Sequence, residues 1–104
     1  MQTEDGCIIS KCLNGEQDAF GLLVDKYKAG IYALAYSKLR NFDDAKDVTQ
    51  EVFIKVYENL HTLRRWERFA SWLYRITNRQ CLDWLKAHSR RHGSVKERPN
   101  PRYD

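Results

Sequence analysis

The run from about Glu16 to Leu39 limits the fold more than any other part of the chain. Its apolar residues Phe20, Leu23, Val24, Tyr27, Ile31, Leu34 and Ala35 keep an i, i+3, i+4, i+7 rhythm. That spacing gathers side chains on one stripe of an α-helix. At 1.5 Å per residue the helix is roughly 35 Å long, and its stripe can be buried only against other elements. Those elements read as helices too. About residues 3 to 13, Ile8, Ile9, Cys12 and Leu13 fall together, and Asn14-Gly15 supplies a stop. Asn41 can cap a third helix, with Asp43, Asp44 and Asp47 near the positive end of its dipole. Its stripe is Val48, Val52, Val56 and Leu60, widened by Phe53 and Tyr57. A fourth helix runs from about Phe69 to Arg91, where Gly93 ends it. Nowhere do β-branched residues alternate with polar ones between turn signals. The expected fold is therefore all-α, a compact bundle of about four helices over residues 1–92. The stretch 93–104, with both prolines and little apolar content, reads as a flexible linker or tail. Gly21 and Gly30 inside the second helix each cost about 1 kcal/mol relative to alanine, which points to close helix packing or a bend.

Length and composition narrow the function. The 104 residues make one domain, and 42% hydrophobic content is enough for a core. No apolar run approaches the roughly 18 residues that span a bilayer. The opening MQTEDGC is acidic, unlike a signal peptide, so a cytoplasmic protein without membrane contact is expected. Cys7, Cys12 and Cys81 are odd in number and lack CxxC spacing. They read as reduced thiols rather than a disulfide framework or a zinc site. Cys81, His88 and His92 share one side of the fourth helix, but the cysteine reads as core and the histidines as a solvated helix end. No metal or cofactor is expected. With no Gly-rich phosphate loop, HExxH or nucleophile elbow, an enzyme is not expected either.

Charge is split along the chain. Residues 1–60 hold seven Lys/Arg against ten Asp/Glu, a net −3, while residues 61–104 hold eleven against four, a net +7. Nine of those eleven are arginines, which fork onto phosphates and stack on bases. Two surfaces of opposite sign suggest two partners. On the fourth helix Phe69, Leu73, Ile76, Thr77, Cys81 and Trp84 form the core side. Ser71, Arg75, Asn78, Arg79, Leu82 and Lys86 lie opposite. This basic stripe suits nucleic acid, with Arg75, Arg79 and Lys86 attracting phosphate and Asn78 able to bond base edges.

The segment HTLRRWERF, residues 61–69, has no clear periodicity and reads as a loop bearing Arg64, Arg65, Trp66 and Arg68. Trp66, Phe69, Trp72 and Tyr74 interleave with arginines there, a composition suited to stacking unpaired bases at about 1–3 kcal/mol each. Phe69 and Trp72 read more readily as core, and Trp66, in its polar loop, as the better stacking candidate. The third helix holds one anomaly. Ile54 sits among Asp47, Gln50, Glu51 and Glu58, away from the apolar stripe.

The stretch EQDAFGLLVDKYKAGIYALAYSKLRNFDDAKDVTQEVFIKVYENL, followed by FASWLYRITNRQCLDWLKAHSRR, resembles region 2 of a bacterial RNA polymerase sigma factor of the extracytoplasmic-function (ECF) type. DAF at 18–20, LVDKY at 23–27, DAKDVTQEVF at 44–53 and WLYRI at 72–76 carry the resemblance, which covers about residues 3–92. It implies a helical transcription initiation domain. Asp47, Gln50 and Glu51, with Ile54 and Tyr57 beside them, would dock on the clamp helices of the largest subunit of core RNA polymerase. The loop, with Arg64, Arg65, Trp66, Arg68 and Ser71, would hold the non-template strand of the promoter minus-ten element. Asn78, Arg79 and Leu82 on the helix would join it, and a flipped base would enter a pocket beside the loop; Arg75 and Lys86 are assigned to DNA by the basic stripe alone. An anti-sigma factor is a further implied partner.

The chain departs from the family pattern in three places. Arg65 stands where many relatives have a glycine. Arg75 and Ile76 replace the tryptophan pair of primary sigma factors, so strand opening is expected to lean on a favourable promoter. Nothing resembles region 4, as expected of an excised fragment or of a naturally short protein. The competing readings are a helix-turn-helix-like repressor of duplex DNA and a helical protein-interaction adaptor without DNA binding.

Overall fold

The computed structural model describes residues 4–92, with side chains to residue 88. Four helices follow one another: α1 (Glu4–Leu13), α2 (Gln17–Leu39), α3 (Phe42–Asn59) and α4 (Phe69–His92). Between α3 and α4 lie two single 3-10 turns, Leu60–Thr62 and Trp66–Arg68. No strand occurs among the described residues. The stretch 93–104, read as a linker, lies outside them, as does Gly93 as a helix stop. No described helix is long and apolar enough to cross a membrane.

Each helix ends for a local reason. α1 stops at Gly15, whose φ of 95° is open to glycine at little cost. α2 closes without a glycine. Arg40 takes the left-handed conformation (φ 57°) and its N–H donates to the Tyr36 carbonyl at 2.8 Å. Asn41 then begins α3, its side-chain oxygen accepting from the Asp44 N–H at 2.9 Å.

The stripes predicted from periodicity meet in one core. Ile9 of α1 packs with Leu23, Ile31, Ala35 and Leu39 of α2 and with Ala45, Val48, Val52, Phe53 and Val56 of α3. Leu60 and, from α4, Phe69, Leu73 and Cys81 complete it. Thr77 is buried as well, and its hydroxyl donates to the Leu73 carbonyl at 2.9 Å. Burial pushes the Cys81 thiol up, and His88 stacks on Trp84 with ring centroids 3.4 Å apart. The side chain of His92 lies outside the description.

A polar clasp adds to the packing of α1 on α2. Lys26 Nζ donates to Asp5 Oδ1 at 2.7 Å, and the Tyr27 hydroxyl donates to Oδ2 at 2.5 Å. Burial and then the Asp5 bond push the Tyr27 phenol up to about 12.

Several expectations need correcting. Residues 61–69 are not a formless loop, since the two 3-10 turns frame Leu63–Arg65. The second turn packs against α1, so Trp66 is half-buried against the core. Phe69, in contrast, is wholly buried, as its place on the core side of α4 predicts, and has no face to offer a base. Leu13 and Tyr57, placed on apolar stripes, are exposed, and Tyr57 meets Phe20 edge-on at 5.1 Å. Close packing holds for Gly30 and not for Gly21. A methyl group on Gly30 would lie 2.8 Å from the Tyr74 hydroxyl, whereas Gly21 faces open space.

Gly30→Ala therefore sets a helix gain of about 1 kcal/mol against displacement of a tyrosine, and the net change is expected to be small or unfavourable. In a Tyr74→Phe background the same change is expected to stabilise by about 1 kcal/mol. Urea unfolding of the four proteins measures this. Equal effects of Gly30→Ala in both backgrounds would show that the contact does not matter.

Candidate functional site

The end of α3 and the first half of α4 diverge around an open groove of about 490 Å3, lined by Lys55, Asn59, Thr62, Trp72, Arg75, Ile76, Arg79, Gln80 and Asp83. Its α3 wall is fixed by local bonds. The Asn59 side-chain amide donates to the Lys55 carbonyl at 2.9 Å, and the Thr62 hydroxyl donates to the Asn59 carbonyl at 2.7 Å. The α4 wall exists because Phe69, Leu73, Thr77 and Cys81 are all buried. With those four turned inward, Trp72, Arg75, Ile76, Arg79, Gln80 and Asp83 come round to the flank that faces α3.

The groove combines three cations, one carboxylate, two amides, a hydroxyl and a half-buried tryptophan. Cations draw phosphate, an indole offers a face for stacking, and amides offer donors and acceptors to base edges. Arg79 Nε lies 3.5 Å from Asp83 Oδ1. Burying an ordinary small metabolite would require deeper and more apolar walls than these.

Arg64, Arg65 and Arg68 extend the positive charge along the connection before α4, and all are exposed. Arg65 Nε donates to Glu67 Oε2 at 3.2 Å. A backbone hydrogen bond, and then Arg65, hold the Glu67 carboxyl below the usual carboxylate range. Ser71, Asn78, Leu82 and Lys86 are exposed on α4, as the stripe predicts, but they do not line the groove. Of the α4 residues assigned to nucleic acid, only Arg75 and Arg79 belong to both. Lys55, Asn59, Thr62, Gln80 and Asp83 were not picked out from the sequence. The i, i+4 spacing of Lys55 and Asn59 puts them on one side of α3, yet nothing within α3 says which neighbour that side meets.

A second surface lies on α3. Asp47, Gln50, Glu51 and Ile54 follow an i, i+3, i+4, i+7 pattern, and all four are exposed. Ile54 is 52% and Tyr57 54% exposed, so an apolar centre sits among carboxylates and an amide. Lys55 follows Ile54 directly and turns to the groove, so the two surfaces share a turn of helix.

Comparison with known proteins places the chain. Residues 23–91, more than half of it, match the family described as Sigma-70 region 2. The chain is 40% identical over 78 residues to the ECF RNA polymerase sigma factor SigW of Bacillus subtilis (strain 168), an alignment covering 75% of this chain and 42% of that protein. It is 37% identical over 90 residues to the ECF RNA polymerase sigma-E factor of Escherichia coli (strain K12), covering 86% of this chain and 47% of the relative. The chain thus spans less than half the length of these relatives. Its fold is similar to that in an NMR structure of an engineered region 2 of sigmaE in complex with GTAAAA, with TM-score 0.76 and 34% identity. That match covers 86% of this chain and 93% of the other. Family match, sequence identity and shared fold agree: the chain is a member of the region 2 family of ECF-type bacterial RNA polymerase sigma factors.

Proposed function

We propose that this domain acts in transcription initiation, docking on core RNA polymerase through α3 while the groove beside α4 holds one strand of promoter DNA. The observation that carries this reading is the groove itself, which Lys55, Arg75 and Arg79 line together with Trp72 and two amides. A duplex reader needs a convex helix to enter the major groove, whereas a concave cationic site with an aromatic wall suits an unstacked base. The complex formed by the sigmaE relative with GTAAAA supports the same assignment.

On this reading Arg64, Arg65, Arg68 and Lys86 attract the backbone from outside the groove, and Arg75 and Lys55 do so within it. Asp47, Gln50 and Glu51 set the register on the clamp helices of the largest polymerase subunit, while Ile54 and Tyr57 supply buried area. The site of action is the cytoplasm, where polymerase works, and an anti-sigma factor would act by covering either surface. With Arg75 and Ile76 at the positions of the tryptophan wedge, the domain holds an open strand more than it forces one open.

The test is pull-down of core RNA polymerase by the full chain, with single-stranded and duplex DNA binding measured in parallel. Retention of polymerase and preference for the single strand are the expected results. Duplex preference without polymerase would favour a repressor, and loss of all DNA affinity would favour an adaptor.

A further inference from the structure

We propose that Asp83 is a specificity-determining residue that holds Arg79 as a reader of one unstacked base and keeps phosphate out of that part of the groove. The inference rests on the groove being a DNA site. Arg79 and Asp83 stand one helical turn apart on α4, their side chains 3.5 Å apart and both lining the groove. No other lining residue is acidic. With side-chain exposures of 75% and 54%, the pair does little for folding. Its effect lies in what it offers a ligand.

An unaccompanied arginine on a DNA surface is drawn to phosphate, because charge attraction there is long-ranged and indifferent to sequence. Asp83 offsets that charge in a groove that Gln80, Trp72 and Ile76 also line. What remains is a pattern, with guanidinium N–H donors beside a carboxylate acceptor. A phosphate presents only acceptors and is repelled by the carboxylate. The hydrogen-bonding edge of an unpaired base presents a donor and an acceptor side by side and fits both groups. Trp72, about two helical turns from Arg79 on the same wall, offers a surface for a neighbouring base. Arg75 and Lys55 have no acidic partner in the groove and carry the backbone.

This assignment changes the expectation for Arg79. As a member of a basic stripe it would contribute uniform affinity. As half of a neutral pair it contributes selection.

The full chain is titrated with a short oligo-dT across a range of salt, and its base preferences are read by sequencing the single strands it retains from a random pool. Asp83→Asn releases Arg79. Affinity for oligo-dT then rises several-fold at low salt, the plot of log K against log salt steepens by about 0.7, as for one added phosphate contact on a single strand, and preference at one base position flattens. In an Arg79→Gln background Asp83→Asn leaves the slope where it was, since there is no cation to release. Circular dichroism is expected to be unchanged throughout.

If the slope and the base preference of Asp83→Asn match the parent, the inference fails while the DNA reading stands. A slope change of equal size with and without Arg79 overturns it too, because simple repulsion by the carboxylate would then be the whole effect. If the parent chain binds neither the oligo-dT nor the pool, the DNA reading falls and takes the inference with it.

Discussion

Ile54→Asp is expected to remove detectable binding to core RNA polymerase and leave the domain folded. Ile54 is about half exposed and lies outside the buried core, so the substitution costs the fold no more than about 0.5 kcal/mol. At the centre of a docked surface the arithmetic differs. Burying an isoleucine side chain contributes about 1.5–3 kcal/mol, and a carboxylate in its place must be stripped of water beside Asp47, Gln50 and Glu51. A loss of at least about 3 kcal/mol corresponds to a hundredfold or more in Kd. Pull-down and anisotropy with a clamp-helix fragment measure it, with oligo-dT binding as the internal control. Unchanged polymerase binding would remove Ile54 from the interface. Replacing Asp47, Gln50 and Glu51 together by alanine is expected to act on the same partner. Losing polymerase and DNA binding in equal measure would instead mark unfolding.

Phe69→Ala is expected to abolish both activities together, because it removes the fold. The ring is fully buried between Tyr27, at a centroid distance of 5.5 Å, and Trp72, at 6.0 Å. Truncating such a residue costs about 3–5 kcal/mol, a large part of the roughly 5–15 kcal/mol that holds a small domain together. Phe69→Leu keeps most of the volume and is expected to lower stability modestly while preserving DNA binding. Urea denaturation and oligo-dT anisotropy on both variants give the answer. If Phe69→Leu lost DNA binding with its stability intact, the ring would be touching DNA after all, and its burial would have to be relieved in the complex.

The contrast between Ile54 and Trp66 shows what periodicity within one helix can and cannot find. Ile54 stood out because an isoleucine among Asp47, Gln50 and Glu51 breaks a period that the rest of α3 keeps. Exposure of that position follows from α3 alone, once Val48, Val52 and Val56 are turned inward. Trp66 had no such period to be judged against. Its segment is rich in arginine, and composition there is silent on direction. The 3-10 turn at Trp66–Arg68 folds the chain back onto α1 and carries the Trp66 ring toward the core. Tyr57 erred the other way. It flanks the apolar stripe of α3 and meets Phe20 of α2 in a T-shaped pair, yet it stays exposed.

By itself the sequence determined the four helices, their inward stripes, the Asn41 cap and the separation of an acidic from a basic half, since each depends on residues within a turn or two of one another. The family resemblance was legible for the same reason, in contiguous motifs such as DAKDVTQEVF. Only the tertiary structure decided that Lys55, Asn59 and Thr62 meet Trp72, Arg75, Arg79, Gln80 and Asp83 across one groove, and that Asn78 lies off it. That outcome depends on how α3 crosses α4 and on the path of the two 3-10 turns between them. Both are set by the packing of buried side chains from all four helices, and no periodicity within a single helix encodes them.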